Sequence, residues 1–104
     1  MKKTTVNKNY QAGRRFEYER MKAWTSKGYK TLRTAGSHGF ADIICVKDNE
    51  PPVFIQCKVT QSESAAKKLI ADFKKNPPFK SFDTLRMVLE VKMKGSKKIQ
   101  SVEV

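Results

Sequence analysis

Four polar residues have the types and spacing needed for metal-assisted phosphodiester hydrolysis. Asp42 is followed by thirteen residues and then by Gln56-Cys57-Lys58, and Glu17 lies upstream in a segment with a helical pattern. Mg²⁺ binds one or two carboxylates together with neutral oxygens and water, and it lowers the pKa of bound water and stabilises charge on a phosphate. We therefore predict that Glu17, Asp42 and Gln56 supply metal oxygens. Lys58 would supply a cation that orients or activates the attacking water.

Glu17 must be positioned by a helix, which the sequence predicts over residues 9–27. Gly28 follows it, and glycine is typical just beyond a helix C-terminus. At about 100° per residue, the apolar side chains fall in one arc of the helix: Tyr10, Ala12, Phe16, Met21, Ala23 and Trp24. Glu17 and Arg20 interrupt this arc, and a buried carboxylate is costly unless it is paired or bound to a metal. Glu17 is therefore either a metal ligand or the partner of Arg20, three residues further on.

The other three residues lie in a predicted β-hairpin. Three strands are expected in succession, over residues 29–34, 41–47 and 53–59. Because strand side chains alternate between faces, Asp42, Gln56 and Lys58 are expected on one face of the hairpin. The opposite face is apolar and consists of Ile43, Cys45, Val53, Ile55, Cys57 and Val59.

The remaining pattern completes an α/β domain. Thr60-Gln61-Ser62-Glu63 has the spacing of a capping box, which predicts a helix that runs to about Lys75. Residues 84–93 alternate as a half-buried strand with Glu90 on its polar side, and residues 98–104 predict a last strand. The expected organisation is a disordered basic segment over residues 1–8 and one domain with a mixed sheet over residues 9–104.

The net charge indicates an anionic partner. Lys and Arg total 22 and Asp and Glu total 10, which gives a net charge of +12. Residues 31–60 are neutral overall, and the segments on both sides are basic. Surface lysines can serve solubility alone, but a small domain needs a net charge of only about 2–8 for that purpose. A neutral centre flanked by basic segments suits a surface that binds a nucleic-acid backbone around a reaction site.

Several other classes of protein are disfavoured. No run of about 18 apolar residues exists, so we expect no membrane span, and the first residues lack the apolar stretch of a signal peptide. We therefore expect a cytoplasmic protein. Cys45 and Cys57 are the only cysteines and lie in apolar strand patterns, where free cysteine behaves as a small buried hydrophobe. Two cysteines and one histidine do not favour a structural zinc site.

Five motifs in order resemble the PD-(D/E)xK nucleases, and in particular the archaeal-type Holliday junction resolvases. They are Gly13-Arg14-Arg15-Phe16-Glu17, Gly28-Tyr29, Arg33-Thr34-Ala35-Gly36-Ser37, Asp42-Ile43-Ile44 and Ile55-Gln56-Cys57-Lys58-Val59-Thr60. The resemblance covers roughly residues 13–60 and implies a restriction-endonuclease-like αβββαβ core with a mixed central β-sheet flanked by helices. Gln56 departs from the pattern, because the family usually has Glu there, and the amide removes one negative charge from the site.

The resemblance also implies an activity, a cofactor and partners. It predicts a homodimer that makes paired symmetric nicks in four-way DNA junctions with Mg²⁺, or Mn²⁺ in its place. It adds the backbone carbonyl of Cys57 to the metal ligands, and it assigns DNA contacts to Arg14, Arg15, Arg33, Ser37 and His38. Two alternatives stay open. One is another endonuclease of the same fold, resembling a transposase subunit or a restriction enzyme, and the other is a non-catalytic basic DNA-binding module.

Overall fold

The computed structural model describes residues 8–34 and 40–104 as a five-stranded mixed sheet with two helices. The elements follow in this order: α1 (Lys8–Ser26), β1 (Lys30–Arg33), β2 (Ile43–Val46), β3 (Val53–Thr60), α2 (Glu63–Lys75), β4 (Arg86–Met93) and β5 (Ile99–Glu103). The strands are neighbours in chain order. Only β3 and β4 are parallel, and α2 makes the long crossover that a parallel pair requires. The predicted αβββαβ core with a mixed sheet is confirmed.

The predicted helix over residues 9–27 differs from α1 by one residue at each end. Lys8 belongs to α1, although it falls in the basic segment that was expected to be disordered. Residues 1–7 lie outside the described part of the chain. Gly28 has φ +96°, and its N–H donates to the carbonyl of Thr25 at 3.0 Å. The left-handed backbone that ends a helix thus requires the residue with no Cβ.

The predicted apolar face of the hairpin packs under α1. Phe16 and Trp24 are 1% and 7% exposed and lie against the side chains of β2, β3 and β4. The strand side of this core comprises Ile43, Cys45, Val53, Ile55, Cys57 and Val88, with Val59 partly buried beside them. This core holds α1, and therefore Glu17, across the middle of the sheet.

The start of α2 differs from the prediction. Its N-cap is Ser62, whose Oγ accepts from the N–H of Ala65 at 3.2 Å. The capping box that the sequence suggested from Thr60 is therefore wrong. Thr60 is still paired with Met93 in the sheet, so its backbone cannot begin the helix.

The prediction that β4 is half-buried is also wrong. All five residues from Met87 to Val91 are buried, including Glu90. Met87, Leu89 and Val91 pack with α2, while Glu90 faces α1. Because β4 lies between β3 and β5 with one helix on each face, neither side of it reaches solvent.

Candidate active site

Asp42 is fixed against β3 at the point where β2 begins. Its backbone N–H donates to the carbonyl of Ile55 at 2.8 Å, and its Oδ2 accepts from the N–H of Cys57 at 2.9 Å. The sheet pairs Ile43 with Ile55, so Asp42 lies opposite Gln56 if this register is continued. The carboxylate thereby satisfies a backbone donor of β3 where the regular ladder stops. This bond holds Asp42 beside the Gln56–Lys58 segment.

Glu17 reaches the same end of the sheet from α1. Its Oε1 accepts from Nε of Arg33 at 2.8 Å, with side chains only 17% and 14% exposed, respectively. Arg33 ends β1 and is paired with Ile43, which places the ion pair beside the start of β2. The alternative that Glu17 pairs with Arg20 is wrong, because Arg20 binds Glu90. Arg33, predicted to contact DNA, thus balances the charge of Glu17.

Gln56 and Lys58 lie together on the other face of the sheet. Both line a cavity of about 240 Å³ between β3 and α2. Asp72 of α2 lines the same cavity. It was not predicted from the sequence, since a lone carboxylate on an exposed helix face carries no signal of its own. The structure therefore joins Gln56 with Lys58 on the α2 face, whereas Glu17 approaches from the α1 face.

The carboxylates influence Cys57, which separates Gln56 from Lys58. The pKa of the Cys57 thiol is raised, first by burial and then by the negative charges of Glu90, Asp42 and Glu17. Nearby negative charge disfavours the thiolate, which adds to the effect of burial on the pKa of Cys57. The Cys57 backbone is also the donor that orients Asp42.

The donor types at this end of the sheet fit Mg²⁺. Asp42 offers a carboxylate and Gln56 an amide oxygen, both hard oxygen ligands, and Mg²⁺ is commonly held by one or two carboxylates together with substrate phosphates and water. Over residues 8–34 and 40–104, no group of three or more His, Cys, Asp or Glu side chains is close enough to hold a metal ion. The charge of Glu17 is shared with Arg33. The fit to Mg²⁺ therefore rests on the oxygen type of the Asp42 and Gln56 donors.

Two arginine side chains lie close to the ring of Tyr18, which follows Glu17 in α1. The guanidinium carbons of Arg14 and Arg33 lie 5.9 and 5.3 Å from the ring centroid of Tyr18, which is half exposed. The pKa of Tyr18 is lowered by the hydrogen bond and charge of Arg14, and further by Arg33. Tyr18 was not among the residues predicted from the sequence, although its spacing of four residues from Arg14 is the signal for such a pair.

Three other residues were predicted to contact DNA, namely Arg15, Ser37 and His38. Arg15 is exposed on α1, one residue from the buried Phe16. Ser37 and His38 lie outside the described residues. The structure therefore bears on the positions of Arg14, Arg15 and Arg33 only. Within the described part of the chain, neither helix has the length and apolar character needed to cross a bilayer.

The element order and the mixed five-stranded sheet define a two-helix α/β fold. Among solved structures, the chain is similar to Hjc, a Holliday junction resolvase from the archaeal hyperthermophile Archaeoglobus fulgidus. The match has a TM-score of 0.54 and 16% sequence identity, and covers 88% of this chain and 72% of that one. At this identity the likeness shows the fold. No protein-family model and no curated protein matches the chain.

Proposed function

We propose that this protein is a metal-dependent, structure-selective endodeoxyribonuclease that resolves four-way DNA junctions by paired symmetric nicks. The observation that carries the proposal is the bond between the Asp42 carboxylate and the N–H of Cys57, which places a carboxylate beside Gln56 and Lys58. The fold shared with the Archaeoglobus fulgidus resolvase supports the choice of substrate. A homodimer would supply one site for each of two equivalent strands, since a two-fold protein matches a two-fold junction.

The metal-binding groups in this proposal are the oxygens of Asp42 and Gln56, with Glu17 and the backbone carbonyl of Cys57 as further ligands. When bound, Mg²⁺ or Mn²⁺ would lower the pKa of water and stabilise charge on the phosphate. Arg33 neutralises Glu17 in the free protein, which lowers the cost of keeping a carboxylate mostly buried. The bond to Cys57 holds Asp42 in one orientation before any ligand arrives.

Lys58 is the proposed cation of the reaction. It shares the α2-face cavity with Gln56, so its ammonium group can offset charge on a phosphate and orient the attacking water at that face. Asp72 lines the same cavity, and we add it to the candidate site because it offers a carboxylate close to the neutral Gln56. The proposed DNA contacts around this centre are Arg14, Arg15, Arg33, Ser37 and His38.

The proposal is tested with a labelled four-way junction and a linear duplex of the same sequence, with and without Mg²⁺. The wild-type protein should cut the junction only with the metal and should cut the duplex far less. Asp42→Ala and Lys58→Ala should abolish cleavage and leave junction binding nearly intact, because many Lys and Arg contacts supply the binding. Asp48→Ala, in the exposed β2–β3 turn, is the matched control and should cut normally. Wild-type cleavage by the Asp42 or Lys58 variant would show that the assigned site is wrong.

The same experiment separates the two alternatives. A non-catalytic DNA-binding module is favoured by two observations: Gln56 is neutral, and Glu17 is paired with Arg33. Such a module would bind the junction without Mg²⁺ and never cut it. Another endonuclease of this fold would cut linear duplex as well as the junction.

Sedimentation under cleavage conditions tests the dimer, which should have twice the mass of the 11.9 kDa chain.

A further inference from the structure

A continuous groove separates the N-terminal half of α1 from the turn between β4 and β5. It consists of two adjoining depressions of about 120 and 260 Å³. Both are lined by Ala12, Arg15 and Lys94. The groove therefore runs between a helix and a turn that are far apart in the sequence and meet only in the folded chain.

The groove is lined by two basic side chains and by two residues with small side chains or none. Arg15 stands on α1 and Lys94 on the turn, and both residues are exposed. Ala12 and Gly95 contribute little or no side chain to the lining, which leaves room for a chain to pass between the two cations. Glu19 also lines the groove, but its carboxylate lies 3.4 Å from the ammonium group of Lys92. The lining therefore keeps a net positive charge.

The backbone of the turn is held in place by hydrogen bonds. The N–H of Ser96 donates to the carbonyl of Met93 at 3.0 Å, and Gly95 has φ +84°, a conformation that suits glycine. The N–H of Lys94 donates to the carbonyl of Thr60 at 2.7 Å. Lys94 is thus tied to the end of β3, so its side chain starts from a fixed point opposite α1.

The groove lies on the α1 face of the sheet. Phe16 and Val59 line its inner end, and both belong to the core that packs against α1. Gln56 and Lys58 line the cavity on the opposite, α2 face, so the groove is a basic surface separate from that cavity.

We propose that this groove binds the phosphate backbone of one duplex arm of the junction, with Arg15 and Lys94 as its two phosphate contacts. This inference rests on the proposed function, because it takes a four-way DNA junction as the ligand. Contacts of this type are independent of sequence and are formed with the release of counterions. Lys94 and the β4–β5 turn are thereby given a role that neither the motifs nor the fold likeness assigns to them.

The test compares two double variants that each remove two positive charges. The first is Arg15→Gln with Lys94→Gln, and the control is Lys74→Gln with Lys75→Gln, two exposed lysines in the last turn of α2. Junction affinity is measured by fluorescence anisotropy in EDTA over a series of salt concentrations. In the groove variant the slope of log K against log salt should become shallower by about 1.8, since each lost phosphate contact contributes about 0.9. The control should keep the wild-type slope.

Either of two results would overturn the proposal. One is a groove variant with the wild-type slope, and the other is an equal loss in the control, which would show an effect of net charge alone. Circular dichroism spectra establish that both variants are folded. Because binding is measured without metal, the outcome is independent of cleavage. If the protein binds through the groove and never cuts, the proposed function is refuted and the role of the groove is supported. If the protein cuts junctions and the groove variant keeps the wild-type slope, the role of the groove is refuted and the proposed function is supported.

Discussion

Removal of the buried carboxylate of Glu90 should destabilise the protein more than the loss of any exposed charge. Glu90 is 1% exposed. Arg20 donates to it from Nε at 2.7 Å and from Nη2 at 3.1 Å, Ser101 donates from Oγ at 3.1 Å, and Nε1 of Trp24 lies 3.3 Å from Oε2. These groups come from α1 and β5, so one carboxylate joins the helix that carries Glu17 to two strands of the sheet.

The size of the effect follows from what the substitution leaves behind. In Glu90→Ala the guanidinium of Arg20, with a side chain only 15% exposed, keeps its charge and loses its partner. Breaking a buried ion pair in this way costs about 3–5 kcal/mol. The pair between Glu63 and Lys67 is 69% and 74% exposed, and exposed pairs of this spacing contribute only about 0.3–0.5 kcal/mol. Typical domains have a free energy of unfolding of about 5–15 kcal/mol, so the first loss is a large part of the total.

Urea denaturation followed by circular dichroism measures this difference. With a denaturant dependence of about 1.5 kcal/mol per molar urea, within the range for small proteins, Glu90→Ala should lower the midpoint by about 2–3 M. The control variant Glu63→Ala should lower it by no more than about 0.3 M. Circular dichroism is preferred to fluorescence because the only tryptophan, Trp24, contacts Glu90 directly.

A double variant tests the physical reason. If an unpaired buried charge causes the loss, Glu90→Leu combined with Arg20→Leu should be much more stable than either single variant, because apolar side chains replace both charges together. The reasoning would be refuted by a Glu90→Ala midpoint that equals that of the Glu63 control. It would also be refuted by a double variant whose destabilisation equals the sum of the two single ones.

Three further predictions concern the site and the thiols. Gln56→Glu should still cut junctions and reach its half-maximal rate at a lower Mg²⁺ concentration, because it restores a charge near the metal. Gln56→Ala should lose most activity. If cleavage by Gln56→Ala and by wild type depends on Mg²⁺ in the same way, Gln56 has no role in binding the metal. Glu17→Gln should lower the cleavage rate by about 10–100-fold, as for groups that ligate or orient a metal site, and Glu19→Gln should change it little; the opposite ranking would contradict the placement of Glu17. Burial raises the pKa of Cys45 to about 12 and raises that of Cys57 as well, so both thiols stay protonated at pH 8 and iodoacetamide should label neither until the protein is unfolded in guanidinium. Labelling of either cysteine in the folded protein would contradict this.

The local sequence pattern was sufficient to predict the helices and strands and most of their buried faces. The helix over α1 follows from an apolar arc ending at Gly28, and the buried face of the hairpin follows from strict alternation in β2 and β3. Both signals are short-range, since they depend on 3.6-residue and two-residue periods. The spacing of Asp42 from Gln56 and Lys58 is short-range as well, because one hairpin brings these residues together.

The partners of charged residues depended on elements that are distant in the chain. Glu17 pairs with Arg33 of β1 rather than with Arg20, and Arg20 instead reaches Glu90, seventy positions away. No periodicity within α1 could distinguish these choices, since Arg33 lies outside the helix, in β1. The crossing of α1 over the sheet decided between them.

By itself, the sequence determined the αβββαβ order, the apolar face of the hairpin and the spacing that brings Asp42 close to Gln56, because each depends on residues that are near one another in the chain. Only the tertiary structure decided which groups share a surface. Glu90 is buried because β4 lies between β3 and β5 with one helix on each face of the sheet. The tertiary structure also brought Asp72 to the cavity of Lys58, and it placed Lys94 opposite Arg15, because a helix and a turn almost eighty residues apart meet only when the sheet is complete.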